Sequence, residues 1–366
     1  MPERVILIAE DDEEQIASWK RDITEFNRDA TQPFRYVPEF VKSKGAAIRA
    51  LDRLRINCAV MDLRLPEEDN AAGPNTDPVG NDILEQLLLE VGVPAVVYSG
   101  YTQEASELVR RSQIKIIDKK KDGAMEALRW LAGHESLMSA MEVTRKRIAQ
   151  ESARLFSTSI WPRWEKTWKT MENGEVLAGV IARQTASHVA EQLGMPPNYH
   201  HPEEFYVVPP LAADQLGTGD LVKVEGNVFI IVTPPCNMAR DQYPAHVMLA
   251  LCKPMEAIWT GLRNQFAGDD KKQQKAAEEL HLYASQGKAI STHFLPPCGE
   301  LGGPWLVQFK EIMTVPSAQI PALLATRFAS VAAQFIPNLL QRYSSYLGRI
   351  GQPDLDGEVL RGLVCK

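Results

Sequence analysis

The sequence predicts an α/β protein in three parts: a five-stranded, doubly wound parallel sheet over residues 1–134, a helical linker over 135–195, and an α+β domain over 196–366 with a small, β-barrel-like sheet. Three observations predict this. Short apolar runs alternate with helical stretches through the first third. From Glu135 onward apolar residues recur at spacings of three and four. Beyond Gly219, short runs rich in Val, Ile and Phe are separated by turn residues.

In the first part, Val5-Ile6-Leu7-Ile8 reads as a strand that ends in the acidic run Glu10 to Glu14. A helical stretch from Gln15 to Asn27, a strand at Arg35-Tyr36-Val37 and a helix from Lys44 to Arg53 lead to Cys58-Ala59-Val60-Met61, an apolar run that stops at Asp62 and meets Pro66. Leu84 to Leu89 suggests a helix, Ala95 to Tyr98 a strand, Glu104 to Arg111 a helix, Ile114 to Ile117 a strand and Ala124 to Leu131 a helix. Runs this short suit strands buried on both faces of a parallel sheet, and the alternation of strand and helix predicts that every strand's carboxyl end lies on one rim.

In the linker, Leu137, Met141, Thr144, Ile148 and Leu155 form a seam that suits either a second copy in a homodimer or the chain's own second domain. Trp161, Trp164 and Trp168 share one helical face, with Arg163, Lys166 and Lys169 turned elsewhere. This predicts a buried aromatic stripe under a solvated basic face rather than a base-stacking surface. Val176 to Leu193 reads as another amphipathic helix with His188 in its core, stopped by Gly194 and Pro196.

In the third part, Gly219 to Val224 and Val228 to Val232 flank Glu225-Gly226-Asn227 as a hairpin. Val247 to Cys252, Ala289 to Leu295 and Trp305 to Val315 read as further strands, with a helix from Lys271 to Ser285. Ser317 to Arg349 reads as one long helical region kinked at Pro337, carrying Arg327, Arg342 and Arg349, for which intramolecular or solvated roles are expected over a phosphate or an acidic partner.

Composition bounds the function. With 366 residues, 45% of them hydrophobic, the chain can bury ordinary cores. No leader and no membrane-length apolar stretch is read from it, so a cytoplasmic location is expected. Through Glu135 there are 18 Lys and Arg against 25 Asp and Glu, leaving 22 of each sign for the remainder. The neutral second part shows no electrostatic footprint for nucleic acid. The five cysteines, Cys58, Cys236, Cys252, Cys298 and Cys365, have no CxxC pair and read as free thiols.

The rim of the predicted sheet collects Glu10 and Asp11 from the first strand, Asp62 from the third, Ser99 from the fourth and Lys119 from the fifth. Converging carboxylates need a hard cation such as Mg²⁺. A lysine neutralises a transferred phosphoryl group and a hydroxyl bonds one of its oxygens. The set describes a phosphoryl-acceptor site.

Four motifs in order, Val5-Ile6-Leu7-Ile8-Ala9-Glu10-Asp11-Asp12, Val60-Met61-Asp62-Leu63-Arg64-Leu65-Pro66, Val97-Tyr98-Ser99-Gly100 and Ile117-Asp118-Lys119, resemble the receiver domain of two-component response regulators. The resemblance implies that Asp62 is the phosphoacceptor, that Glu10, Asp11, Asp62 and the backbone carbonyl of Arg64 hold Mg²⁺, and that Ser99 and Lys119 meet the phosphoryl group. It implies a sensor histidine kinase as donor and a downstream partner for the output domain. Three departures stand out: a loop from Glu67 to Val79 longer than the family's turn, Ile116 where an aromatic switch residue is usual, so that Tyr98 or Tyr101 takes over, and Lys119-Lys120-Lys121 without the usual proline, which lets the lysine slip to Lys120.

Two other classes stay open. One is a receiver-controlled enzyme with Cys236 as nucleophile and His246 or His293 as base, or Cys236 in a metal site with Cys252, Cys298 and a histidine. The other is a transcription regulator, or a phosphate sink in a stress or phage-defence system. A structural role for Cys236 is the simpler expectation, and an enzyme is not expected beyond self-phosphorylation.

Overall fold

A computed structural model describes residues 1–69, 77–111, 114–170, 174–194, 200–239, 243–297, 299–349 and 354–365. Cys298, residues 70–76 of the acidic loop and residues 195–199 lie outside these. The chain divides into two compact units, Met1–Met195 and Pro196–Lys366.

The first unit alternates strand and helix: β1 (Glu3–Ala9), α1 (Glu13–Arg28), β2 (Arg35–Val41), α2 (Lys44–Arg53), β3 (Cys58–Met61), α3 (Gly80–Gln86) running into a widened π turn (Leu87–Val91), β4 (Ala95–Ser99), α4 (Glu107–Arg111), β5 (Lys115–Asp118) and α5 (Ala124–Ala132). The strands pair in parallel in the order β2-β1-β3-β4-β5. Alternate residues supply the two faces. Leu7, Ala9, Ala59 and Met61 enter a core with Ile83, Leu84 and Leu87. Ile6, Ile8, Cys58 and Val60 enter another with Trp19, Phe26 and Leu128. Each large side chain removed from water contributes about 1.5–3 kcal/mol, which is why runs apolar at every position become central strands.

Three more helices complete the unit: α6 (Glu135–Leu155), continuing through a second π turn (Phe156–Ile160) into α7 (Trp161–Lys166), and α8 (Gly174–Leu193). Arg4, buried at the start of β1, donates to Glu135 of α6 at 2.6 and 3.0 Å and also pairs with Glu142. The expected seam is only partly covered: Leu155 is buried, while Leu137 and Ile148 are exposed. The aromatic stripe is also corrected. Trp161 and Trp164 are 52% and 37% exposed, because spacing aligned them on one face but no described element of this unit lies over that face. His188 is half-buried beside Glu151, 3.7 Å away, rather than in a core.

The second unit holds β6 (Tyr206–Val207), β7 (Asp220–Val224), β8 (Asn227–Ile231), α9 (Pro235–Met238), β9 (His246–Pro254), α10 (Glu256–Phe266), α11 (Asp270–Ala284), β10 (Thr292–Leu295), β11 (Trp305–Pro316), α12 (Ile320–Thr326), β12 (Arg327–Val331), α13 (Ile336–Leu347) and α14 (Gly357–Val364). Its sheet runs β10-β11-β9-β8-β7-β12-β6 with antiparallel pairings. Among the described residues the sheet runs from β10 at one edge to β6 at the other, with a register shift between Gln308 and Ile312 of the kind that bends a strand. Apolar clusters cover both faces. The β7–β8 turn is Glu225-Gly226, both at positive φ (49° and 80°), as a two-residue hairpin turn requires.

The long helix expected from Ser317 to Arg349 does not form. β12 interrupts it, its backbone pairing with β7 and β6. Pro337 sits in the first turn of α13, where it lacks no needed hydrogen bond. The three arginines are engaged within the unit: Arg327 with Asp220, Arg342 with the carbonyls of Ala289 and Thr292 at 2.7 and 2.9 Å, and Arg349 over Tyr346.

Candidate phosphoryl-acceptor site

In a 2-1-3-4-5 sheet the chain reverses direction across the sheet between β1 and β3, and the crevice beyond the carboxyl ends of those two strands is the natural ligand site. Glu10 and Asp11 follow β1 directly, and Asp62 follows β3. Their backbones are fixed by neighbouring strands: the Glu10 amide donates to the Val41 carbonyl at 2.9 Å and the Asp62 amide to Ala9 at 3.0 Å. Asp62 caps no helix, since α3 begins only at Gly80. Asp12 is the cap instead, its carboxylate accepting the amides of Glu14 and Gln15.

Glu10 and Asp62 are buried and Asp11 is exposed. Each offers a carboxylate oxygen within 4.8 Å of the other two, and among the described residues this is the one such cluster of potential metal ligands. Lys119, just past β5, turns its ammonium into the cluster, donating to Asp62 Oδ2 at 2.6 Å and to Glu10 Oε2 and Oε1 at 3.1 and 3.3 Å. Of the two neighbouring lysines it is thus Lys119 that reaches the acids, while the Lys120 amine lies over the Tyr101 ring. Ser99 is fully buried at the end of β4, where its Oγ accepts the Tyr101 amide at 3.2 Å.

The electrostatics follow from the burial. Desolvation pushes the Glu10 carboxyl up to about 7, with Lys119 pulling against it and Asp62 adding to it. Burial also raises Asp11. Burial pulls the Lys119 ammonium down, but Asp62 and Glu10 outweigh it and leave it raised. An acid cluster held by one cation, with an exposed carboxylate at its open side, suits a small, hard, oxygen-seeking ion such as Mg²⁺.

Because Glu10 binds a proton more tightly folded than unfolded, the stability it contributes is present below its ordinary value of 4.5 and is lost as pH rises through about 7. A metal ion must displace that proton. Mg²⁺ affinity is therefore expected to rise between pH 6 and pH 8, with proton release in the lower half of that window. Calorimetric titrations in two buffers of different ionisation enthalpy would check this.

Three features of the site escape a reading of the sequence. Arg64 turns its guanidinium away from the acids, pairing with Glu104 through two nitrogens and stacking 3.5 Å from the Tyr101 ring centroid, although its amide donates to Asp62 Oδ1 at 3.3 Å. Gly80 packs against the acid's own backbone: a Cβ there would overlap the Asp62 carbonyl oxygen and come within 2.8 Å of Leu63 Cα. The start of the acidic loop is tied to α2, with Ser43 donating to Asp69 at 2.6 Å and Lys44 and Arg49 pairing with Glu67 and Glu68. Nothing local in the sequence signals the Arg64–Glu104 pair; only a glycine opening a helix after a long loop hints at the close approach. Ile116 is half-buried against one sheet core, and Tyr98 packs on Trp19 and donates to the Asp122 carbonyl at 3.3 Å.

No protein-family sequence profile matches the chain, and no curated protein does. Among solved structures, a CheY-like response regulator receiver domain from Methylobacillus flagellatus is 18% identical, covering 35% of this chain and 98% of its own, with a TM-score of 0.27. A signal receiver domain from Vibrio parahaemolyticus is 17% identical over 39% of this chain and 98% of its own, with a TM-score of 0.29. The receiver domain of the sensor histidine kinase PA1611 from Pseudomonas aeruginosa, with magnesium in its active-site cleft, is 20% identical over 35% of this chain and 93% of its own, with a TM-score of 0.24. The parallel-sheet part of the first unit is similar in fold to CheY-like receiver domains. At such identities the likeness is one of fold, and what the receiver-like unit does has to be argued from its own residues.

Among the described residues, which leave out Cys298, the cysteine chemistry considered for the second unit does not assemble. Cys236 is exposed on α9, with Asn237 Oδ1 3.7 Å from its sulfur, and among the described residues no histidine hydrogen-bonds it. His293 is buried in β10, and its burial, with Arg342 adding to it, pushes its imidazole down to about 3, leaving it neutral. Cys252 is buried in β9, and burial raises its thiol. No helix of the described residues is long and apolar enough to cross a membrane.

Proposed function

We propose that the chain is a response regulator of a two-component phosphorelay, with residues 1–134 as receiver, 135–195 as helical connector and 196–366 as output domain. The observation that carries this reading is the Lys119 ammonium seated between Asp62 and Glu10 at the point where the sheet reverses direction. Of the two buried carboxylates there, Asp62 makes the shorter contact with that cation, 2.6 Å against 3.1 Å for Glu10.

In this reading an Asp62 carboxylate oxygen attacks the phosphorus of a phosphohistidine on a sensor kinase. The phosphorus–nitrogen bond breaks, and the imidazole keeps the electron pair and takes a proton. Glu10, Asp11, Asp62 and the Arg64 carbonyl would hold Mg²⁺, which would supply neutralisation of the charge on the transferring oxygens. Lys119 exchanges its bond to the Asp62 carboxylate for one to a phosphoryl oxygen, and Ser99 Oγ gives up the Tyr101 amide to meet another. These two movements pull on the ends of β4 and β5, the route by which the added charge reaches the downstream partner.

Labelling with acetyl phosphate and Mg²⁺ tests the proposal. Wild type is expected to take up one phosphoryl group and Asp62→Ala none; equal labelling of both would sink the assignment.

A further inference from the structure

The connector helix α6 is fastened to the rest of the first unit at two points, both on the side of the amino ends of the parallel strands and so opposite the Asp62 rim. Arg4, at the start of β1, holds Glu135 and Glu142. Farther along α6, Arg145 donates through one nitrogen to the Gly92 carbonyl at 2.7 Å and to the Val91 carbonyl. Those two carbonyls close α3 and its π turn, where Gly92 takes the left-handed conformation (φ 63°) that ends a helix. A cation suits that end, because the last carbonyls of a helix lack amide partners and carry partial negative charge. A side chain of α6 thus caps α3.

The other end of α3 lies against the acceptor site. The Gly80 amide donates to the Leu63 carbonyl at 2.9 Å, directly beside the Asp62 backbone. Buried Asn81 ties the same turn to the loop after β4: its Nδ2 donates to the Glu104 carbonyl at 3.0 Å and its Oδ1 accepts the Ser106 amide at 2.8 Å. An unbroken chain of hydrogen bonds leads on to Ser99, since the Glu104 amide donates to the Tyr101 carbonyl at 2.9 Å and the Tyr101 amide to Ser99 Oγ at 3.2 Å. Between its two ends α3 places Ile83, Leu84 and Leu87 in the core with no exposure. Packing this close passes a displacement on instead of absorbing it.

We infer that α3 carries the phosphorylation signal from Ser99 through Asn81 to Arg145, and that phosphorylation releases the second half of α6. The inference rests on the receiver reading above, in which Ser99 Oγ gives up the Tyr101 amide for a phosphoryl oxygen. That exchange gives the chain of bonds two discrete arrangements, which a coupling route needs. Once Ser99 no longer holds Tyr101, residues 101–106 shift and Asn81 takes the first turn of α3 with them. The helix and its π turn reach about 18 Å at 1.5 Å per residue, so the movement arrives at the Val91 and Gly92 carbonyls and draws them off Arg145. Arg4 is anchored in β1 and not in α3, so residues 135–142 keep their hold. Release is confined to residues 143–155, the stretch that leads on to α7.

Hydrogen–deuterium exchange of the full-length protein in Mg²⁺, with and without acetyl phosphate, tests this, with intact mass reporting phosphoryl uptake in the same samples. In labelled wild type the amides of residues 143–155 should exchange faster by about fivefold or more, the low end of ordinary coupling between sites, while residues 135–142 stay unchanged. Arg145→Ala, which puts a good helix former at a half-buried position, should exchange fast without acetyl phosphate and respond no further. Asn81→Ala should take up the phosphoryl group as wild type does and keep slow exchange throughout. Wild type that takes up no phosphoryl group would overturn this inference together with the receiver reading. Uptake that leaves residues 143–155 unmoved overturns the relay alone, as does an Asn81→Ala or an Arg145→Ala protein that responds like wild type. Should Asn81→Ala fail to fold, wild type and Arg145→Ala decide the matter.

Discussion

Lys119→Ala is expected to reduce phosphorylation by acetyl phosphate by about 10²- to 10³-fold, the loss typical of removing one preorganised charge-stabilising group. In the wild type the ammonium lies 2.6 Å from Asp62 and 3.1 Å from Glu10. Without it, two buried carboxylates face each other and the exposed Asp11 with no cation. The same change should lower stability in a way that depends on pH and metal. Stranding a fully buried charge costs roughly 3–5 kcal/mol; here about 2 kcal/mol is expected, because the cluster opens to water on the Asp11 side. The loss should be greater at pH 8, where more of the acid charge is ionised. It should shrink toward pH 5, where Glu10, already raised by burial, takes up a proton. Millimolar Mg²⁺ should restore much of the stability at pH 8 but little of the phosphorylation. Thermal denaturation at the two pH values, with and without Mg²⁺, separates these outcomes. A loss of stability that ignores both pH and metal would mean that Lys119 acts through packing and not through its charge.

The part of the molecule that was legible from the sequence is the part whose signal is local. The strands β1, β3 and β4 carry unbroken apolar runs, and Glu10 and Asp62 are the first polar residues after two of them, so strand ends and site residues are read together from the same boundaries. Convergence on one rim then follows from the parallel direction of the strands, with no knowledge of side-chain contacts. The second unit fails the same approach where structure is set from a distance. Arg327-Phe328-Ala329-Ser330-Val331 has no strand signal that distinguishes it from the helical residues on either side; it becomes β12 because β7, more than a hundred residues earlier, offers it a ladder. The Trp161, Trp164 and Trp168 spacing shows that a face exists but not whether anything lies over it. Arg64 and Glu104 illustrate a third kind of silence: two charged residues forty positions apart meet only because β3 and β4 are neighbours in the sheet.

Arg327 shows what such long-range placement implies for stability. Its guanidinium is a fork that holds four acceptors at once: Asp220 Oδ2 at 3.1 Å and the Gln215 carbonyl at 2.7 Å through one nitrogen, and the Ala212 and Ala213 carbonyls through the other. Asp220 in turn accepts the Gly217 amide at 2.7 Å and the Ser330 hydroxyl. The pair is almost completely buried, at 6% and 5% side-chain exposure. Arg327→Ala removes the cation and leaves Asp220 charged in a dry site, with three carbonyls released beside it. A cost of about 3–5 kcal/mol is expected, near the whole stability of many domains. Arg327→Lys should recover little, since an ammonium cannot span the carboxylate and three carbonyls in one plane. Adding Asp220→Asn to Arg327→Met should recover part of the loss, because it removes the stranded charge while the amide oxygen still accepts from one of the two donors, Gly217 or Ser330, that Asp220 serves through separate oxygens. Urea denaturation followed by the tryptophan fluorescence of the second unit measures each variant. If Arg327→Ala costs less than about 1 kcal/mol, the pair is solvated and belongs with ordinary surface ion pairs. If the double variant is no better than Arg327→Ala, the loss lies in the carbonyls that the fork gathers and not in the charge of Asp220.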